Sequence, residues 1–203
     1  MPAKKNIAVL ASGNGTNFQA LAEAICKQKL KAKINLLITD KKNSFVRKRA
    51  KSLGIRDIFI NPRECKSDLE FNKEIVKILK REKVDLVILA GYMRIVSSFF
   101  VKSFNQKILN IHPSLLPAFK GTNAISRAFK YGCKVTGVTV HFINEKIDHG
   151  PIILQKTVAI KKGMSEKNLE EKIHKLEHKL YPQALKLILD KKVKVKERYV
   201  KII

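Results

Sequence analysis

Two segments, residues 7–11 (IAVLA) and 86–90 (LVILA), each contain five successive apolar residues and no polar one. A strand with one wet face alternates apolar and polar residues, whereas a strand covered on both faces reads as a continuous apolar run. Strand and helix patterns alternate around these two runs. Helix is expected from 18 to about 27, strand over 34–39, helix over 46–53 and a short strand over 57–60. Helix is expected again over 68–81, with Leu69, Ile75, Ile78 and Leu79 on one stripe, then a short helix over 97–104 and a strand over 108–111. Such alternation predicts an α/β fold: a Rossmann-like, mostly parallel sheet with helices on both faces and right-handed crossovers.

The second half changes character. Residues 135–142 alternate like a half-buried strand and 152–159 like its antiparallel neighbour, so antiparallel strands are expected in the C-terminal half. Gly163-Met164-Ser165 opens a long helix with Leu169, Ile173, Leu176 and Leu180 on one face, which Pro182 should kink or restart. A last strand is expected over 193–200. No linker, repeat or low-complexity segment interrupts the chain, so a single domain over 1–203 is expected.

A chain of 203 residues can bury a core, and 45% hydrophobic with 29% charged residues excludes disordered, collagen-like and disulfide-scaffold classes. No run approaches the roughly 20 apolar residues that span a bilayer. The opening Met1-Pro2-Ala3-Lys4-Lys5-Asn6 lacks the apolar core of a secretory signal, so a cytoplasmic location is expected. Cys26, Cys65 and Cys133 are odd in number and show no C-x-x-C spacing, which argues for buried or incidental thiols. The net charge of +25 attracts anions, and a basic nucleic-acid-binding domain is one reading of it. Only 8 of the 42 basic residues are Arg, however, and they are spread along the chain, which favours a Lys-rich solvated surface without a specific nucleic-acid site.

In open parallel sheets, ligands bind beyond the carboxyl ends of the strands. After the first strand stands Ser12-Gly13-Asn14-Gly15-Thr16-Asn17, either a close-approach anion loop at a helix start or a plain glycine turn. After 86–90 stands Gly91-Tyr92-Met93-Arg94-Ile95-Val96, where Arg94 has a ligand carboxylate or a structural acid as its possible partner. After 108–111 comes His112-Pro113. Asn110 and His112 are two apart on a strand and share a face, as a binding pair or as satisfied structural residues. The polar turn Asn144-Glu145-Lys146-Ile147-Asp148-His149-Gly150-Pro151 follows the strand over 135–142, where Asp148 could cap its own backbone or reach His112 through tertiary structure. His141, His149, His174 and His178 show no metal spacing, so surface or packing roles and no metal are expected.

Taken in order, IAVLASGNGTNFQAL, LAGYMRIV, ILNIHPSLLPAFKGTNAI, TGVTVHF and DHGPIILQ resemble the phosphoribosylglycinamide formyltransferases, folate-dependent enzymes of purine synthesis. The likeness spans about residues 6–190. Neither the RNA-binding barrel of methionyl-tRNA formyltransferase nor the N-terminal regulatory domain of formyltetrahydrofolate deformylase is expected in this chain. The resemblance implies phosphate binding in about 1–105 and folate binding with catalysis in about 106–203. It implies a phosphate cradle at Gly15, Thr16 and Asn17, with Glu177 holding the glycinamide end. It implies that Met93, Arg94, Ile95 and Val96, with Asn110 and the turn Asn144, Glu145, Lys146, Ile147 and Asp148, hold 10-formyltetrahydrofolate. Asn110, His112 and Asp148 match the catalytic trio. The partners implied are small molecules, with no membrane and a monomeric or homodimeric state; formyl transfer to another amine is the alternative. One departure stands out: near Asp68 the family usually carries a basic residue that reaches the folate.

Overall fold

Apolar strand runs and capped helices assemble two compact units in this computed structural model, which describes residues 4–27 and 30–203. One unit runs up to Leu109 and the other is Asn110–Ile203. Residues 1–3, part of the opening read as lacking a signal, lie outside the described residues.

The N-terminal unit is α/β. Its strands are β1 (Lys5–Leu10), β2 (Ala32–Thr39), β3 (Asp57–Phe59) and β4 (Leu86–Leu89), in the order β3-β2-β1-β4 with every pairing parallel. The run read as doubly covered is so: Ile7, Ala8, Val9 and Leu10 have no solvent exposure. Helices α1 (Thr16–Lys27), α2 (Phe45–Ser52), α3 (Asp68–Arg81) and α4 (Ser98–Ser103) follow the strands. Serine caps set two of these starts: Ser67 Oγ accepts the Glu70 N–H at 3.1 Å and Ser97 Oγ the Phe100 N–H at 3.3 Å. The α3 stripe needs one correction. Ile75, Ile78 and Leu79 are buried with Phe71 and Val76, but Leu69 is 46% exposed because it stands in the first turn, ahead of the buried part of the stripe.

β5 (Ile108–His112) carries the chain across the unit boundary. The C-terminal unit then has α5 (Ala124–Lys130), the antiparallel pair β6 (Val135–Phe142) and β7 (Ile152–Ala159), and α6 (Glu166–Leu189) packed on that pair. Here the structure departs from the sequence reading three times. β6 is buried from Thr136 onward rather than half-buried, and two of its polar residues, Thr139 and His141, find partners inside. Thr139 Oγ1 donates to the Ser114 carbonyl at 2.7 Å and accepts the Leu116 N–H at 3.1 Å. α6 passes through Pro182 without restarting; burial of Tyr181, Pro182, Ala184 and Leu185 offsets the missing backbone donor. The expected last strand is a hairpin, β8 (Val193–Lys196) and β9 (Tyr199–Ile202). Its two-residue turn places Glu197 at φ 54°, and Glu-Arg carries none of the usual turn signals.

Cys26 is exposed and Cys65 and Cys133 are partly so, which corrects the buried alternative; all three are free. Among the described residues no helix is long and apolar enough to cross a membrane.

Candidate active site

The N-terminal unit gathers its candidate residues at the carboxyl ends of β1 and β4. Gly15 has φ 76°, and a Cβ there would overlap the Val46 side chain, so the position requires glycine both for its backbone and for its space. Val46 donates its N–H to the Gly13 carbonyl at 3.1 Å, and Gly15 accepts the Gln19 N–H at 3.0 Å. Arg49 holds the loop from outside, donating from Nε to the Asn14 carbonyl at 2.8 Å and from Nη2 to Asn14 Oδ1 at 3.1 Å. Thr16 and Asn17 open α1, so the loop ends on a helix start.

Ser12 ties this loop to the segment after β4. Its N–H donates to the Gly91 carbonyl at 3.0 Å and its Oγ accepts the Met93 N–H at 2.9 Å. Met93 and Ile95 are 71% and 70% exposed, an unusual cost for two large apolar side chains unless a ligand covers them. Arg94 has the structural acid that the sequence left open: it ion-pairs with Asp68 and lies over the Phe71 ring, 4.9 Å from its centroid. Arg94 also lines a pocket with Lys41, Lys42, Arg63 and Phe59.

The C-terminal unit brings together Asn110, His112 and Asp148, from β5 and from the turn between β6 and β7. His112 is 5% exposed. Its Nε2 lies 2.9 Å from the Phe119 carbonyl, which can only accept, so Nε2 carries a hydrogen. Its Nδ1 lies 3.4 Å from Asp148 Oδ2. Asp148 does not cap its own turn. Its Oδ2 accepts the Gly121 N–H at 2.7 Å, and its backbone is left-handed, with φ 45°. The capping is done by Asn144, whose Oδ1 accepts the Lys146 N–H at 3.1 Å. Gly150 lets the turn close, since a Cβ there would overlap the Phe142 carbonyl. Glu145, Lys146 and Ile147 form the exposed tip of the turn. Glu177 stands apart from this turn in sequence, on α6, where it is buried and accepts from His174 Nδ1 at 3.0 Å.

The sequence predicts a packing or surface role for His141, and the structure places it in this cluster. It has no solvent exposure, and its Nδ1 lies 2.8 Å from the Phe142 carbonyl. That carbonyl fixes the hydrogen on Nδ1 and leaves Nε2 of a neutral ring as an acceptor. Asn110 Nδ2 donates to it at 3.2 Å, which orients the amide and leaves its second hydrogen for another acceptor. Burial pushes the His141 pKa down to about 4, against the opposing pull of the Phe142 carbonyl and of Asp148, whose Oδ1 is 3.7 Å away. The signal that could have found it is a histidine between Val140 and Phe142 in a buried strand, where an imidazole needs internal partners.

A second layer fixes the segment after His112. Gln155 Nε2 donates to the Leu116 carbonyl and to Thr139 Oγ1, both at 2.9 Å, and Ser114 Oγ donates to the Ala118 carbonyl at 2.6 Å. Gly137 leaves room for Leu115. The cluster thus offers an oriented amide donor, an imidazole and a carboxylate held at short range, a set suited to stabilising an oxyanion and moving a proton. Among the described residues no group of three or more His, Cys, Asp or Glu could hold a metal ion.

Comparison with known proteins agrees with this architecture. The chain is 41% identical to phosphoribosylglycinamide formyltransferase of Bacillus subtilis, over 91% of this chain and 95% of that one. It is 42% identical to the human trifunctional purine biosynthetic protein adenosine-3, over 96% of this chain but only 19% of that much longer protein. The crystal structure of glycinamide ribonucleotide transformylase 1 from Symbiobacterium toebii superposes with a TM-score of 0.97 at 36% identity, covering 100% of this chain and 96% of that one. The formyl transferase family matches residues 5–185, so with the parallel strand order and the Asn110–His112–Asp148 cluster in hand, this chain belongs to that family.

Proposed function

We propose that this enzyme transfers the formyl group of 10-formyltetrahydrofolate to the primary amine of 5'-phosphoribosylglycinamide, a step of purine synthesis. The observation that carries the reading is the cluster of Asn110 and Asp148 around the buried His112 and His141 in a chain 41% identical to the Bacillus enzyme.

In this reading the amine nitrogen attacks the formyl carbon and a C–N bond forms. The tetrahedral intermediate carries an oxyanion and a protonated amine. Asn110 donates its remaining N–H to the oxyanion, and His141 holds that amide in place. His112 supplies a proton to N10 as the bond from the formyl carbon to N10 breaks. Asp148 anchors the imidazole and orients the carrier that takes the proton from the amine and returns it to His112, while the oxyanion collapses to the carbonyl of the new formamide. The attack is direct, so no covalent enzyme intermediate is required.

Gly15, Thr16 and Asn17 hold the phosphate with backbone N–H groups at the start of α1, and Glu177 receives the glycinamide end. Met93, Arg94, Ile95 and Val96 of the N-terminal unit are folate-binding residues in this reading, and so are Asn110 and residues 144–148 of the C-terminal unit. The chain acts as one formyltransferase domain, with phosphate binding in about 1–105 and folate binding and catalysis in about 106–203. A charge of +25 favours capture of both anionic substrates.

The test is a spectrophotometric assay that follows loss of the formyl-folate with and without phosphoribosylglycinamide. Turnover that requires the ribonucleotide is expected. Turnover without it would point to a hydrolase, and no turnover by folded protein would end the reading.

A further inference from the structure

The turn that carries Asp148 faces a structural problem of its own. Asp148 is a non-glycine residue at φ 45°, a strained conformation that persists only where its surroundings impose it. The turn is pinned at both ends. Asn144 caps the first half through the Lys146 N–H, and Phe142 donates its N–H to the Pro151 carbonyl at 2.9 Å beneath Gly150. Between these pins the next residue after Asp148 is His149, and it is gripped from a distant part of the chain.

That grip is Arg198. It sits in the two-residue turn of the β8–β9 hairpin, next to Glu197 with its left-handed backbone. Arg198 Nη1 lies 2.9 Å from His149 Nε2 and 3.3 Å from Nδ1, and it donates to the His149 carbonyl at 3.3 Å. The Asn144 amide lies 3.3 Å from the same Nδ1, so His149 links the capping residue of the turn to the hairpin. β9 also contacts β7, the strand that leaves the turn, which steadies the hairpin against the same piece of structure. The hairpin lies beyond residues 5–185, the part of the chain that the family matches.

We propose that Arg198 is a positioning residue: through His149 the C-terminal hairpin holds the left-handed Asp148 at hydrogen-bonding range of His112 and of the Gly121 N–H. This inference rests on the proposed role of Asp148 in proton movement. Arg198 acts on Asp148 through its neighbour His149, whose ring and carbonyl it holds.

The same contact has an electrical signature. His149 is held below the usual imidazole value by partial burial and then by the cations Arg198, Lys120 and Lys146. Removing Arg198 takes away one of these cations and uncovers the ring, and both changes raise the His149 titration midpoint.

The experiment compares wild type, Arg198→Ala and Arg198→Lys. Steady-state kinetics and NMR titration of the His149 ring are measured on each, with thermal unfolding as a check on folding. For Arg198→Ala the expected result is a kcat lower by roughly 10-fold, the loss that a displaced catalytic group brings, with KM for both substrates within about twofold. The His149 midpoint rises in the same variant, and Arg198→Lys, which keeps a cationic donor at the turn, recovers most of both changes. An unchanged His149 midpoint would show that the contact is absent in solution and overturn the proposal. An unchanged kcat, or a loss shared equally by KM and by the unfolding midpoint, would overturn it as well. Failure of the formyl-transfer reading is distinguishable, because there the wild type itself shows no turnover.

Discussion

The two units build their candidate sites from different materials. Up to Leu109 the site is mostly backbone: a loop bent at Gly15, tied by Ser12 to the segment after β4, with apolar side chains left exposed beside it. From Asn110 onward the site is side chain: an amide, two imidazoles and a carboxylate taken out of water and held by one another. The first kind offers backbone donors at its tip, on a glycine turn that the sequence marks locally and that Ser12, Val46 and Arg49 hold in place. The second depends on residues far apart in the chain, and each buried polar group relies on its neighbours for satisfaction. Substitutions in the N-terminal unit should therefore act on substrate affinity, and those in the C-terminal unit on turnover.

The largest effect expected is from Asp148→Asn. The amide keeps the shape of the side chain but not its charge, so kcat should fall 10²-fold or more with KM little changed. A KM effect of that size with normal kcat would erase the distinction between the units.

Next is the acid sensitivity of the C-terminal cluster. His141 is neutral in the folded protein down to about pH 4, whereas an unfolded imidazole takes a proton near 6.5. Between those values the unfolded chain binds more protons, so stability falls as pH falls, by roughly 3 kcal/mol over that window. Denaturant unfolding at pH 7 and at pH 4.5 should show a smaller loss in His141→Gln than in wild type. Equal losses would mean that the ring is charged or solvated in the folded state.

A smaller effect is expected from Gly15→Ala, where a positive φ and overlap with Val46 oppose any Cβ. Stability should drop by about 1–3 kcal/mol, and KM for the ribonucleotide should rise about tenfold with kcat nearly unchanged. The unfolding midpoint and the kinetics of one purified variant check both.

The smallest effect is expected from Asp68→Ala. The Asp68 side chain is 80% exposed, so its pair with Arg94 adds at most about 1 kcal/mol to stability. Its removal should leave the unfolding midpoint within about 4 °C of wild type and lower KM for the formyl-folate about two- to threefold, by freeing Arg94 for a ligand carboxylate. A raised KM would instead make Asp68 part of how Arg94 is oriented.

Sequence by itself determined the parallel half of the fold. Runs such as 7–11 and 86–90 cannot be wetted on either face, and the helical periods between them leave little choice of connection. It also marked the glycine loop and placed Asn110 and His112 on one face, because both features are written within a few residues. Tertiary structure alone decided the rest. It brought Asp148 to His112 from 36 residues away, buried His141 on the other oxygen of Asp148, paired Arg94 with Asp68, and turned the last expected strand into a hairpin whose Arg198 reaches His149. These are contacts between side chains whose spacing in the chain carries no periodic signal. Their partners are chosen by burial, which leaves an imidazole or a carboxylate to find whichever donor or acceptor the packed backbone brings within reach.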